Sequence, residues 1–168
     1  MGQQTTNFET KLLKDCLILT QKMDRLCFPE EMWLGSEEKD LLLQHDAEAT
    51  MLSLNGMVIG QAITIPELAV TELLQEADIN FRATDKGIYS YSEAILPAYQ
   101  RQGYGQLLLQ EISVRMRNKG YQSISAHVRT RFGWNQIRSR KLVVTDRRTI
   151  HDFWEDPEEG VQYQRASL

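Results

Sequence analysis

The sequence predicts a mixed α/β (α+β) domain whose sheet contains both antiparallel and parallel strands. An Asn-Gly dipeptide between two alternating apolar segments predicts a β-hairpin and therefore an antiparallel pair. Further along, a strand, an amphipathic helix and a second strand follow at the spacing of a right-handed crossover, which makes their strands parallel. A chain of 168 residues with 42% hydrophobic and 25% charged residues suits one globular domain. We therefore expect residues 1–168 to form a single domain.

The composition argues against export, membrane insertion and metal binding. There is no run of about 18 apolar residues, and the first residues lack the apolar core of a signal peptide. Cys16 and Cys27 have neither zinc-site nor redox-pair spacing, so we expect buried free thiols. His45 and His151 have no partners at metal-ligand spacing. A cytoplasmic protein without a metal is the expectation.

Charge is distributed unevenly along the chain. Residues 1–93 carry 7 basic and 16 acidic side chains, a net charge of −9, whereas residues 94–151 carry 11 and 2, a net charge of +9. An anionic ligand is favoured by the middle segment and a cationic one by the N-terminal segment. The basic residues are scattered with little aromatic interleaving, which argues against a nucleic-acid surface. Two solvated faces without a ligand are the alternative.

The N-terminal part predicts two helices. Residues 8–27 repeat apolar side chains at helical spacing, with Lys and Asp on the opposite side, which is typical of an amphipathic helix. Phe28 and Pro29 should end it. A second helix is expected to begin at Ser36, whose side chain can cap its first turn.

Residues 49–66 change to a period of two. Their two strands flank Asn55 and Gly56, which favour the positive φ angles of a two-residue hairpin turn. Pro66 should end the second strand. Residues 67–80 fit either a short helix or an inserted loop.

Residues 90–117 contain the feature around which the rest is organised. Residues 88–95 alternate as a strand, residues 100–105 form a turn with two glycines, and an amphipathic helix then runs to Gly120. Residues 121–128 form the second strand of the crossover. The apolar face of the helix would contain Leu108, Leu109, Ile112 and Met116.

The glycine turn predicts an anion site. Gly103 and Gly105 leave backbone N–H groups uncovered at the positive end of a helix dipole, where phosphate binds well. The turn lacks the third glycine of a dinucleotide fingerprint and the Lys-Ser/Thr of a P-loop. After it, residues 131–141 fit a helix, and residues 142–153 and 160–167 fit two antiparallel strands.

These motifs resemble the GNAT family of N-acetyltransferases. The family motif Q/R-x-x-G-x-G/A follows a strand, and Gln100, Gly103 and Gly105 match it. The match covers residues 88–119 and extends to the strand 121–128. The resemblance implies a GNAT-like single domain with a mostly antiparallel central sheet, splayed between two parallel strands and flanked by helices. It also implies acetyl-CoA as cosubstrate and a primary amine as acceptor.

The resemblance implies where acetyl-CoA would bind. The pyrophosphate would lie on the amides of the turn, and the pantetheine arm would pair with the strand end as an added strand. Arg101 would neutralise phosphate charge, and Asn135 is matched to a family asparagine after the second parallel strand. The expected contacts are Ala94, Ile95, Leu96, Gln100, Arg101, Gln102, Gly103, Tyr104, Gly105, Gln106 and Asn135.

Family chemistry is direct attack of an amine on the thioester, which requires a base and a proton donor. Glu93 is the expected base, as the only carboxylate on the strand before the motif; a salt bridge with an arginine is its alternative role. A backbone N–H near Ile95 would polarise the carbonyl. The family's tyrosine, seven residues after Asn135, would be Leu142, which cannot donate a proton. Either another residue donates the proton, or the alignment with the family motif is shifted, or the thiolate leaves unassisted. The candidate donors are Tyr163, Tyr99, Tyr104 and His127, of which Tyr163 is our choice.

Two functions stay open at this point. One is an N-acetyltransferase whose acidic N-terminal segment favours a cationic acceptor such as a polyamine, an aminoglycoside or a lysine side chain. The other is a non-catalytic acyl-CoA-binding or regulatory module, because the expected tyrosine is missing. A monomer and a homodimer are equally compatible with the sequence.

Overall fold

A computed structural model describes residues 5–130, 133–150 and 160–168. The helices are α1 (Leu13–Cys27), α2 (Ser36–Gln44), α3 (Thr71–Ala77), α4 (Tyr104–Asn118) and α5 (Trp134–Lys141), with short 3₁₀ turns at Glu30–Met32, Glu67–Val70 and Pro97–Tyr99. The strands are β1 (Thr6–Leu12), β2 (Glu48–Leu54), β3 (Met57–Pro66), β4 (Gly87–Ile95), β5 (Ser123–Arg129), β6 (Val143–Ile150) and β7 (Val161–Ser167).

The strands of the described residues form one seven-stranded sheet in the order β1-β2-β3-β4-β5-β7-β6. β4 and β5 are parallel, whereas β1 with β2, β2 with β3, β5 with β7 and β6 with β7 are antiparallel. The parallel ladder is short, because only residues 87–89 pair with residues 123–125. This architecture confirms the predicted fold class, a mixed and mostly antiparallel sheet flanked by helices.

The chain divides into two compact units. The first unit comprises Met1–Thr64 and Ser92–Ile112, and the second comprises Ile65–Tyr91 and Ser113–Leu168. Each has its own fully buried apolar residues. In the first unit these include Leu13, Leu42, Leu52, Ile59, Ile63 and Leu108, and in the second Phe81, Ile88, Ile124, Val161 and Tyr163.

Residues 6–12 form a strand, so the predicted helix over residues 8–27 is wrong at its start. β1 pairs antiparallel with β2, and Phe8 lies opposite Leu52. Phe8, Thr10 and Leu12 are the less exposed residues of the strand, and their neighbours face solvent. Phe8 and Leu12 are four residues apart. Four residues are two repeats of a strand and about one turn of a helix, so both elements would place the two side chains on the same side.

Helix α1 begins at Leu13 and ends at Cys27, as expected for its C-terminal end. Its polar side was predicted to face solvent, but Asp24 is buried beside Met23. Cys16, where the helix is kinked (φ −136°, ψ 17°), and Cys27 are free thiols. Both are half-buried rather than fully buried, which corrects the sequence-based expectation.

Helix α2 begins at Ser36, but Ser36 is not its cap. Gly35 occupies the N-cap position, and its backbone N–H donates to the Glu38 carboxylate at 2.9 Å. The Glu38 side chain, three residues after the N-cap, therefore accepts the hydrogen bond of the Gly35 N–H, which is half of a capping box. The predicted serine cap is wrong for this reason.

The hairpin of β2 and β3 is confirmed in its bounds and its turn. Asn55 has φ 51° and Gly56 has φ 84°, the two positive values that a two-residue turn of this type requires. Residues 67–80 contain a 3₁₀ turn and α3, so the short-helix interpretation is correct.

The crossover β4-α4-β5 is confirmed as well. Leu108, Leu109, Ile112 and Met116 are at most 1% exposed, and Gly120 follows the helix with φ 93°. Helix α5 and the antiparallel strands β6 and β7 are also where the sequence placed them. β6 and β7 are antiparallel neighbours, and β7 is the one of the two that pairs with β5. His151 and the connection over residues 151–159 lie outside the described residues.

No helix in the described part of the chain is long and apolar enough to span a membrane.

Candidate active site

The turn before α4 has an unusual backbone. Arg101 has φ 60° and Gly103 has φ 89°, both in the left-handed region. Nothing lies within 4 Å of the point that a Cβ of Gly103 would occupy, so open space adjoins the turn. A non-glycine residue at positive φ is uncommon, and such strain tends to occur at ligand-binding segments. The turn is therefore held in a shape that an unconstrained loop would avoid.

The same turn presents a row of free backbone donors. Helix geometry leaves the first amides of α4 without an intrahelical acceptor. Within the described residues, the five consecutive amides of residues 101–105 donate to no protein atom. The Gln106 amide is different, because it donates to the Gly103 carbonyl at 3.0 Å. The donors predicted at Gln102, Gly103, Tyr104 and Gly105 are thus available, and Gln106 is already bonded.

Two glutamine side chains brace the turn. Gln100 Nε2 donates to the Ile95 carbonyl at 2.9 Å, and Gln102 Nε2 donates to the Ala98 carbonyl at 3.0 Å. Tyr104 is buried and its ring meets that of Tyr99 edge-on, with centroids 6.3 Å apart. The side chains of Gln100 and Gln102 therefore hold the loop, whereas its backbone faces outward.

The end of strand β4 and the residue that follows it (residues 94–96) are closely packed against β3. Leu96 N–H donates to the Ile59 carbonyl at 2.8 Å, and the Leu96 carbonyl accepts from Tyr99 N–H at 2.8 Å. A Cβ on Gly60 would lie 2.5 Å from Ile95 Cδ1 and 3.0 Å from the Ala94 oxygen, so only glycine allows this approach. The backbone of Leu96 is fully engaged. Strand alternation points the N–H of Ile95 away from β3, which makes it the better partner for an added strand.

Residues 18–132 match the model of the acetyltransferase (GNAT) family. The chain belongs to this family. GNAT enzymes use acetyl-CoA as the acetyl donor, and the free amides and open space at residues 101–105 suit its pyrophosphate. No sequence among the curated proteins matches the chain.

Solved structures share the GNAT fold at low identity. A ribosomal-protein alanine N-acetyltransferase from Escherichia coli is 16% identical with a TM-score of 0.69, over 98% of this chain and 94% of that one. An agmatine N-acetyltransferase variant in its apo form is 12% identical with a TM-score of 0.70, over 98% and 100%. YncA of Salmonella typhimurium, determined with its cofactor acetyl-CoA, is 14% identical with a TM-score of 0.63, over 98% and 94%.

The predicted catalytic residues of this GNAT chain lie in different units. Glu93 is in the first unit, half-exposed near the end of β4. Tyr163 is in the second unit and only 1% exposed. Its ring packs against His127 with centroids 5.1 Å apart, and the Arg148 guanidinium lies 4.3 Å from the ring centroid. Burial raises the pKa of Tyr163 to about 12. Tyr163 is a core residue, and its role as proton donor stays a prediction.

Asn135 lies in the first turn of α5, and its side chain is outside the described part of the structure. Its predicted contact with the cosubstrate therefore stays a prediction too.

His127 belongs to a buried hydrogen-bonded chain that the sequence did not reveal. Its Nδ1 lies 2.9 Å from the Tyr89 hydroxyl and its Nε2 lies 3.1 Å from Asp78 Oδ2. Arg148 Nη1 donates to Asp78 Oδ1 at 2.8 Å. Because Asp78 accepts from Nε2–H, Tyr89 is the donor to Nδ1. The imidazole is thus held as a neutral group between Tyr89 and Asp78.

The pKa values of the groups in this hydrogen-bonded chain follow from burial and pairing. Burial lowers the pKa of His127 to about 4, and hydrogen bonding to Asp78 only partly offsets this. Burial alone would raise the pKa of Asp78, but the hydrogen bonds from Arg148 and His127 outweigh it and lower the value. Burial also raises the pKa of Tyr89. At neutral pH the hydrogen-bonded chain therefore contains Asp78 as a carboxylate, His127 as a neutral imidazole and Tyr89 as a neutral phenol.

A second buried carboxylate, Glu67, organises the other side of this unit. It is 0% exposed and pairs with Arg165 Nη2 at 2.9 Å. It also accepts hydrogen bonds from the Thr84 N–H at 2.9 Å and from the Ser125 hydroxyl. A Cβ on Gly87 would lie 2.1 Å from its Oε2. Glu67 therefore explains why the first residue of β4 is glycine.

Proposed function

We propose that the protein is an acetyl-CoA-dependent N-acetyltransferase that transfers the acetyl group to a primary amine, with residues 1–168 as one catalytic domain. The observation that supports it best is the turn before α4. Five consecutive free amides in residues 101–105 and a left-handed glycine with open space beside it suit the pyrophosphate of coenzyme A. Arg101, which is exposed on the same turn, adds a positive charge.

The chemistry requires few protein groups. The neutral amine attacks the thioester carbonyl, a C–N bond forms, and the C–S bond breaks to release the thiol of coenzyme A. Glu93, half-exposed near the end of β4, would accept the proton that the amine loses, directly or through one water. The N–H of Ile95, which strand geometry points away from β3, would polarise the carbonyl oxygen. The departing sulfur takes up one proton, so the reaction is balanced.

The acceptor has an amine group, but its size is not set by the fold. Among structures of similar fold, one enzyme is named for an alanine of a ribosomal protein and another for agmatine, a small molecule. Both names describe amine acceptors of N-acetylation. We extend only the reaction class to this chain.

A non-catalytic acyl-CoA-binding module is the second candidate. It is favoured by the apolar Leu142, which follows α5 where the family's tyrosine is expected, and by the burial of Tyr163. Without an accessible proton donor the thiolate would have to leave unassisted. The two candidates share the cosubstrate site and differ only in turnover.

The first experiment measures acetyl-CoA binding by isothermal titration. We expect one site, and we expect Gly103→Glu to abolish binding because a carboxylate would occupy the anion position. Gly56→Glu, at another positive-φ glycine with open space, is the matched control and should bind normally. Normal binding by Gly103→Glu would exclude the proposed site.

The second experiment measures thiol release over a panel of primary amines. Turnover by the wild type that falls at least a hundredfold in Glu93→Gln, with unchanged acetyl-CoA binding, would support catalysis with Glu93 as base. Binding without turnover of any amine would favour the non-catalytic module.

A further inference from the structure

Asp24 is a buried carboxylate without a cationic partner. It lies on α1 with 5% of its surface exposed, and its Oδ1 accepts a hydrogen bond from Gln61 Nε2 at 2.8 Å. In residues 5–130, 133–150 and 160–168, no lysine, arginine or histidine forms a salt bridge with it. Burial raises its pKa to about 6, so it is mostly ionised at neutral pH. A buried charge without a counter-ion is costly and is common at functional sites.

Gln61, the hydrogen-bond partner of Asp24, has a buried acceptor that lacks a donor. The residue is 0% exposed, and its Nε2 also donates to the Thr20 carbonyl at 3.3 Å. Because both neighbours of Nε2 are acceptors, the orientation of the amide is fixed. Its Oε1 is buried and has no hydrogen-bond donor among the described residues. The hydrogen-bonded pair of Asp24 and Gln61 therefore has a carboxylate and an amide oxygen to which the described residues supply no cation.

The pair lies beside the strand end described above. Gln61 lies on β3 two residues after Ile59, whose carbonyl accepts a hydrogen bond from the Leu96 N–H just after β4. Asp24, Gln61, the end of β4 and the turn before α4 all belong to the first unit. A group bound by Asp24 and Gln61 would thus be close to the strand on which we place the reaction.

We propose that Asp24 and Gln61 bind a protonated nitrogen at the far end of the acceptor, so that the substrate is a cationic diamine or a related polyamine. The inference rests on the proposed N-acetyltransferase function and specifies its acceptor. An ammonium group has three donors and a full positive charge. It would donate to the Asp24 carboxylate and to Gln61 Oε1, neutralising the charge and satisfying the amide in one step.

The first test uses binding without acetyl-CoA. We expect 1,4-diaminobutane at millimolar concentration to raise the melting temperature of the wild type, and 1,4-butanediol, its neutral analogue, to have no effect. The increase should disappear in Asp24→Asn and in Gln61→Leu. Asp15→Asn, which removes an exposed carboxylate of the same helix, is the matched control and should retain it. Equal stabilisation of the wild type and Asp24→Asn, or of neither, would overturn the proposal.

The second test uses steady-state kinetics with acetyl-CoA. Asp24→Asn should raise KM for 1,4-diaminobutane at least tenfold and leave KM for n-butylamine, which has no second ammonium, within twofold. An equal change for both amines would refute selective binding at the far end. Asp24→Asn should itself melt higher without ligand at neutral pH, because it removes a buried charge, whereas a purely structural Asp24 would make the variant less stable.

Failure of the two proposals can be told apart. If the wild type acetylates no amine but the diamine still raises its melting temperature through Asp24, the N-acetyltransferase function is wrong and the cation site stands. If amines are acetylated but Asp24→Asn changes neither readout, the function stands and the cation site is wrong.

Discussion

Acid should affect His127 and Asp24, two of the buried ionisable groups, in opposite directions. The pKa of His127 is lowered by burial to about 4, from an ordinary value near 6.5. The stability that it contributes is therefore complete above pH ~6.5 and is lost as the pH falls towards 4. The pKa of Asp24 is raised by burial to about 6, from an ordinary value near 3.8. Its contribution is complete below pH ~4 and is lost as the pH rises through 6.

The magnitudes follow from these values. Between pH 7 and pH 5, His127 should lower the free energy of unfolding by about 2 kcal/mol, and Asp24 should raise it by about 1 kcal/mol. Asp78, whose pKa is lowered by Arg148 and His127 against the effect of burial, loses its contribution only at more acidic pH. The wild type should therefore change by less than about 1 kcal/mol, because the two contributions largely cancel.

Urea denaturation of the wild type and two variants at both pH values tests this account. Asp24→Asn should lose about 2 kcal/mol between pH 7 and pH 5, and His127→Gln should gain about 1 kcal/mol. The groups that all three proteins share cancel in the comparison. If all three respond to pH in parallel, neither buried group titrates as described and the reasoning is refuted.

Three further variants test the packing and the turn. Gly87→Ala should lower the free energy of unfolding by about 2 kcal/mol in urea denaturation, because its Cβ would overlap Glu67 Oε2; an unchanged midpoint would contradict this. Arg101→Gly should raise the melting temperature by relieving the positive φ, yet weaken acetyl-CoA binding severalfold in isothermal titration; tighter binding would exclude a role for the charge. Gln100→Leu should weaken acetyl-CoA binding in the same assay, because the turn loses the hydrogen bond that braces it on the Ile95 carbonyl; unchanged affinity would show that this brace is dispensable.

Local signals in the sequence predicted the elements that depend on neighbouring residues. Asn55 and Gly56 define a turn whose φ angles only a few residue types tolerate, and Gly103 and Gly120 mark the two ends of α4 in the same way. The strand-turn-helix order around residues 88–119 was predicted correctly, and the anion site at that turn stays a prediction. β1 was missed because a four-residue repeat satisfies both a strand and a helix.

Contacts between distant residues could not be predicted in this way. Asp78 and His127 are 49 residues apart, and Asp24 and Gln61 are 37 apart. The acidic side chain of Asp24 looks solvent-facing on a helical pattern, and only the structure shows that it is buried and accepts a hydrogen bond from Gln61 of β3. Similarly, Tyr163 alternates as any strand residue does until the structure shows that aromatic rings and Arg148 surround it.

The position of β7 has a consequence for the order in which the chain folds during synthesis. In the described residues β6 pairs with β7, which is made later, and β7 lies between β6 and β5. At about 5–20 residues per second, β6 would leave the ribosome roughly one to three seconds before its partner strand. During that time its edge would be open to wrong pairing, and Asp146, Arg147 and Arg148 place charges along it. Charges on an exposed strand oppose aggregation, so they would protect β6 from pairing with another chain until β7 has been made.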